Sequence, residues 1–441
     1  VLIIFSITFY KERVVFTDAA HYMLYLTKTG TIYTQHYRYG AVLLQLLPLL
    51  GIHAGLSLDK IILLYSISFS LYYFSCYALC GFVFKDYKMA IVLLLFNILF
   101  ATHTFYYMIS ELPLGIAMLL VLFAYLRNRE KLSVLSIIVS AILLVTAVFL
   151  HPMTLFVIVF SLVFFYLSYP DIISKTKIYF LSGLYITIYI VKKYYFTGPY
   201  DAHGAEALNN FKTLYPHYVH LYSNKNFLKN CIDRYYWLPT ISIIILIVYL
   251  AKRQWLKLML FGVFMVGFLL MVNVSFPTDY TTDFYIENLY LPMGLFVALP
   301  FVFDVIPILQ EKRLSVAAIF LISVTACVRI YANSKPYVNR LNWERSFLDK
   351  HLNEKLLMQQ TKAQLDTLLM TWGTPYEFWM ISTTEYHQTA SIIIGEDIGY
   401  LTWATKEKNK FVVAWDSFAY NALPSKYFIF KDSVSTYKLI K

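Results

Sequence analysis

An all-α polytopic membrane protein of about eleven transmembrane helices, with a small α+β domain at its C-terminal end, is the fold class this sequence predicts. Three observations predict it. The chain of 441 residues is 59% hydrophobic and only 14% charged, too apolar for an ordinary soluble surface. Apolar segments of roughly 15 to 25 residues follow one another as far as residue 331, the scale of a bilayer crossing. The turns between them alternate in charge, which is the mark of segments threaded back and forth across a membrane.

Taken in order, residues 1–10 are apolar up to Lys11, half of what a crossing needs, and read as a first helix truncated at its start rather than as a signal peptide. The spans that follow are 60–84, 89–109, 112–126, 133–150, 152–169, 178–196, 237–251, 258–275, 288–309 and 314–331. Alternate turns carry Lys85 and Lys88, then Arg127, Arg129 and Lys131, then Lys175 and Lys177, then Lys252, Arg253 and Lys257, and finally Lys312 and Arg313. These are expected on the cytoplasmic side, because positive residues are retained there. The opposite short turns, at Ser110-Glu111, at Leu150-His151-Pro152 and at 276–287, hold no Lys or Arg.

Three longer stretches fall on the outer side. In the first loop, 11–59, residues 14–26 read as a helix lying on the membrane, and 41–50 (AVLLQLLPLL) as a re-entrant or interfacial segment too short to cross. The second loop is 197–236. The tail, 332–441, is expected to form a soluble outer domain beside a transmembrane domain of residues 1–331, with helical periodicity over Trp343–Met370 and strands at 411–415 and 426–430.

The net charge of +11 sits in short clusters between apolar spans, so it follows the positive-inside pattern and indicates no nucleic-acid partner. The four cysteines form neither a disulfide framework nor a zinc pattern. The polar residues of the outer turns are therefore the candidates for chemistry. Asp18 and His21 stand three residues apart, on one helical face, where the carboxylate can serve as a general base or cap its helix. Glu111 lies at the hydrocarbon edge, where a carboxylate is costly without a partner. His151 occupies the next outer turn, His103 lies near the outer end of its span, and Asp279, Asp283 and Glu287 follow in a later one. Arg38, Lys192, Lys193, Arg234 and Arg329 are the candidates for an anionic ligand. Arg329 is singled out because a guanidinium pairs bidentately with phosphate; snorkelling from a helix end is its structural alternative.

These features together resemble the GT-C superfamily of membrane glycosyltransferases, which includes protein mannosyltransferases and aminoarabinose transferases. The likeness rests on Asp18 in FTDAAHYMLYL just after the first helix, on the short apolar segment 41–50, and on an outer tail after residue 331. It implies transfer of a sugar from a polyprenyl-phosphate donor in the lipid bilayer to an acceptor (lipid, glycan or protein) at the outer face, with inversion. It also implies a multi-pass protein of a bacterial inner membrane whose active face lies outside the cytoplasm. In that reading Asp18 is the base, Glu111 its catalytic companion, Arg329 the phosphate contact, and His21, Arg38 and His151 bind substrate. Many members carry adjacent acids after the first helix, whereas Ala19 follows Asp18 here, so a requirement for a divalent metal ion stays open. The rival expectations are a transporter or flippase of lipid-linked saccharide, which would place charged groups mid-span, and an enzyme of the O-antigen ligase or polymerase type, which would place basic residues in a large outer loop.

Overall fold

The computed structural model describes the chain apart from residues 109–110, 130, 170–172, 197, 199–205, 278–282, 432–434 and 441. It is predominantly helical, and every assigned span falls at least in part on a helix. The count of eleven crossings does not hold. Among the described residues, four helical stretches are long and apolar enough to cross a membrane: Leu58–Val83, Trp255–Ser275, Phe284–Ile308 and Lys312–His351. A fifth is added if Tyr222–Asp233 and Trp237–Ala251, bent by 89°, form one broken span.

Length and charge explain the difference. Tyr87–Leu99 has 13 residues, roughly 20 Å of helix against a hydrocarbon core of about 30 Å. It stops because the chain breaks over residues 100–102 and restarts as His103–Tyr106. Glu287 holds that break: its carboxylate accepts from the amides of Thr102 (2.9 Å) and Thr104 (2.7 Å). Lys175–Tyr195 is long enough at 21 residues but carries Lys175, Lys177, Lys192 and Lys193. Val134–Leu150 and Thr154–Ser168 are apolar but shorter still than a full crossing.

The centre of the bundle is Glu111–Arg127, buried along its whole length but for Arg127. A helix that is apolar all round belongs in the middle, and it packs against the 87–99, 134–150 and 283–300 helices. The turns that the charge pattern assigns to one side do meet at one end of the bundle. There Arg127 pairs with Asp86 at 2.7 Å, Lys257 with Asp304 at 3.0 Å, and Lys177 donates to the Leu126 carbonyl at 3.0 Å.

The first loop folds differently from a surface-lying helix. The helix Thr17–Thr29 is buried on most sides, because the tail covers it: Thr374–Glu385 packs directly on it. The 41–50 segment is the helix Val42–His53, which exposes Leu43, Leu46 and Leu50 along one stripe, as an interfacial helix does.

The tail begins without a linker, since Lys312–His351 continues from the last apolar helix straight into it. That helix ends at His351, and of the residues predicted to prolong it Lys355–Gln359 form strand β1 while Leu365–Leu368 make a single helical turn. β1 lies between β2 (Ser391–Gly395) and β5 (Lys438–Ile440) in a parallel sheet, while β3 (Lys410–Val412) and β4 (Ser417–Ala419) make a small antiparallel ribbon. The predicted strand at 411–415 is β3 in part. That at 426–430 is not a strand: Tyr427 and Phe428 are buried from a turn, with Phe428 stacked on Trp379 at 4.8 Å.

Candidate functional site

At the end of the bundle opposite the basic turns lies a polar cavity of about 340 Å³. Asp18, His21, Arg38, Glu111 and His151 all line it, although they come from four separate segments of the chain.

Asp18 is delivered by the first turn of Thr17–Thr29. The entry to that helix is tight. Thr17 adopts φ +36°, its amide donates to the buried carboxylate of Glu377 at 2.7 Å, and Gly373 lies so close that a Cβ there would meet Thr17 Cα at 2.7 Å. Tyr107 donates a hydrogen bond to Asp18 Oδ2. Burial raises the Asp18 carboxyl to about 6; the Tyr107 hydrogen bond opposes the shift, the Glu111 charge adds to it and Arg38 opposes it. At neutral pH the group is ionised yet far more basic than an exposed aspartate.

Arg38 reaches the cavity from a loop in which His36 and Tyr37 both take left-handed backbone, φ +51° and +59°. Gly40 lets that loop sit on Leu150, whose Cγ would be 2.6 Å from any Cβ at residue 40. The guanidinium forms an ion pair with Glu111, both side chains being buried. Glu111 in turn starts its helix, where a carboxylate is favoured by the helix dipole, and Tyr22 donates to it at 3.5 Å. The partner that burial of Glu111 demanded is thus Arg38, and its carboxylate is committed to that pair.

Burial keeps both histidines neutral. His151 Nδ1 accepts from the Met153 amide at 3.1 Å, which leaves the proton on Nε2. Its burial, with Arg38 and Lys192 nearby, holds it well below the usual imidazole range. His21 is pushed down to about 4 by burial, partly offset by Asp416 and reinforced by His36. It lies in an aromatic surround, 5.1 Å from Tyr376 and 5.6 Å from Trp415 of the tail. Trp415 is exposed and forms part of the cavity wall, stacked at a tilt 4.8 Å from Trp372.

Arg329 does not line this cavity. It is buried, donating to the carbonyls of Arg234, Ile98 and Leu99 (3.3 Å for the last), where it ties the last apolar helix to the end of Tyr87–Leu99. His103 belongs to the same packing network, between Tyr337 at 3.1 Å and Arg234 at 2.8 Å. Glu287 holds the chain break described above, and Lys192 is spent on the Val148 carbonyl at 2.9 Å. Asp279 and Ser110 lie outside the described residues.

A second, larger cavity of about 500 Å³ adjoins the first. Its walls are mostly apolar, from Leu2, Phe69, Tyr73, Leu93, Leu94 and Ile330, with Arg13 among them. Asn288 lines both cavities, so the apolar groove and the polar chamber share a wall. Sequence reasoning missed Arg13, Tyr107, Asn288 and Trp415. Arg13 alone carried a signal, as a basic residue just past an apolar run.

No family model, curated protein or solved structure matches the chain. Among the described residues no three His, Cys, Asp or Glu side chains come together as a metal-binding group. The chamber thus holds one basic carboxylate, one compensated ion pair and two neutral imidazoles, beside an apolar groove.

Proposed function

We propose that the protein is a membrane glycosyltransferase of the GT-C type, which moves a sugar from a polyprenyl-phosphate donor to an acceptor hydroxyl with inversion. The observation that carries this reading is the shared wall at Asn288, because the donor has two incompatible halves. A polyprenyl chain needs an apolar groove, and its sugar phosphate needs a polar chamber in reach of a base.

In this mechanism Asp18 takes the proton of the acceptor hydroxyl while that oxygen attacks the anomeric carbon. The bond from the anomeric carbon to the phosphate oxygen breaks, and its electron pair leaves with polyprenyl phosphate. A single displacement inverts the anomeric centre. Tyr107 holds Asp18 in place by its hydrogen bond, burial makes the carboxylate basic with smaller opposing contributions from the charges of Glu111 and Arg38, and the Nε2–H of His151 is a donor for a substrate oxygen. The membrane-domain helices belong to a multi-pass protein of a bacterial inner membrane with this chamber on the outer side.

The test is transfer by purified protein from polyprenyl-phosphate sugars to added acceptors. Transfer is expected, and Asp18→Asn, which keeps the shape but cannot accept the proton, should lower kcat by about 100-fold or more. Absence of transfer with transport of the lipid-linked saccharide instead would replace the proposal by the flippase reading. Normal turnover by Asp18→Asn would remove Asp18 from the mechanism.

A further inference from the structure

We propose that Arg13 is the headgroup site for a phosphorylated single-chain polyisoprenoid held in the apolar groove, and that it, rather than Arg329 or Arg38, reads the lipid's charge. The inference rests on the groove being the lipid site of the proposed reaction. Arg13 is only 3% exposed. Its Nε donates to the Phe105 carbonyl at 2.9 Å, and its Nη1 to the carbonyl and hydroxyl of Ser66, each at 2.9 Å. The guanidinium carbon stands 4.4 Å over the Phe105 ring. Each of these partners is neutral. Among the described residues no carboxylate pairs with Arg13, and its Nη2 donates to nothing.

This sets Arg13 apart from the other buried arginines. Arg38 has Glu111 and Arg340 has Glu377. Arg329 has spent its terminal nitrogens on carbonyls. A guanidinium in an apolar wall with no anion is unfavourable until one arrives, and a charged group at such depth marks a ligand path.

Its place in the groove points to which anion. Phe105, which Arg13 contacts, lines the groove together with Thr104, Met108 and Asn288, and Asn288 also faces the polar chamber. The remaining wall runs down apolar helices to Val1, Tyr77 and Leu93. An occupant with its anion at Arg13 thus keeps a hydrocarbon chain along the groove and presents its head toward Asp18. A free phosphate would use the charge but not the groove.

The experiment compares binding of geranylgeranyl phosphate, geranylgeraniol and inorganic phosphate to the detergent-solubilised full chain. The wild type is expected to bind the phosphate at least about ten-fold more tightly than the alcohol. Arg13→Gln should erase that difference while leaving the alcohol's affinity unchanged, and Arg13→Lys should keep part of it. Leu93→Trp, which fills the groove, should weaken both lipids together. If Arg13→Gln fails to fold, the Arg13→Lys and Leu93→Trp variants and the wild-type preference still decide the matter. Undiminished discrimination by Arg13→Gln, a wild type without discrimination, or displacement of the lipid by inorganic phosphate at equal affinity would each overturn the site. Charge discrimination through Arg13 without any sugar transfer would keep this site and sink the glycosyltransferase reading. Transfer by Arg13→Gln with an unchanged donor KM would do the reverse.

Discussion

If Asp18 is the base of the proposed reaction, stability and activity change with pH in opposite directions. Its carboxyl titrates near 6 in the fold, above its ordinary value of 3.8. The fold therefore binds that proton more tightly than the unfolded chain does. The resulting stabilisation is complete below about pH 4 and is lost as the pH rises through about 6. The proton acceptor appears over the same interval. Turnover is thus expected to rise with a midpoint near pH 6, and Asp18→Asn should abolish that step and flatten the matching slope in thermal stability. A rate profile without an inflection in that region would separate Asp18 from the rate. Arg329 is expected to behave as a structural residue. Arg329→Met strands the carbonyls of Ile98, Leu99 and Arg234 and should lower unfolding stability by about 1–3 kcal/mol while leaving the donor KM unchanged. A raised KM with normal stability would restore it to the site.

At the scale of elements, the helix carrying Asp18 depends on the tail. Thr17 takes left-handed backbone, held by Glu377, and Gly373 presses against it with no room for a Cβ. Gly373→Ala would set that carbon 2.5 Å from Glu377 Oε1 as well as against Thr17. The chain must shift, at a cost of about 1–3 kcal/mol. Thermal unfolding should show the loss, and turnover should fall with it because the first turn of the Asp18 helix moves. An unchanged melting temperature would mean that the tail yields freely and does not set the position of Asp18. Sequence could not show this dependence. The 14–26 segment has the apolar face of a surface helix, and whether lipid or the tail covers such a face is decided by contacts far away in the chain.

At the scale of the molecule, the helical bundle has two chemically distinct ends, one of basic turns tied by Asp86 and Asp304, the other holding the polar chamber. If the first is cytoplasmic, cysteines placed at Arg129 and Lys350, both exposed, should label from opposite sides with an impermeant thiol reagent once the four native cysteines are replaced. Labelling of both from one side would overturn the orientation.

The sequence by itself determined the helical, apolar character of the chain, the sorting of its turns into two ends, and the turn residues Asp18, Glu111 and His151 that line one chamber. Hydropathy and charge are local properties, and the bilayer acts on them segment by segment. The number of full crossings was not determined in that way, because an apolar run such as 89–109 is ended by Glu287, a residue almost 200 positions on. Only the tertiary structure decided that Arg38 pairs with Glu111, that Arg329 is bound to carbonyls, that Arg13 faces the groove without an anion, and that Trp415 of the tail completes the chamber wall. Whether a buried charge is spent or available depends on which groups the fold brings beside it, and residue type and spacing do not carry that information.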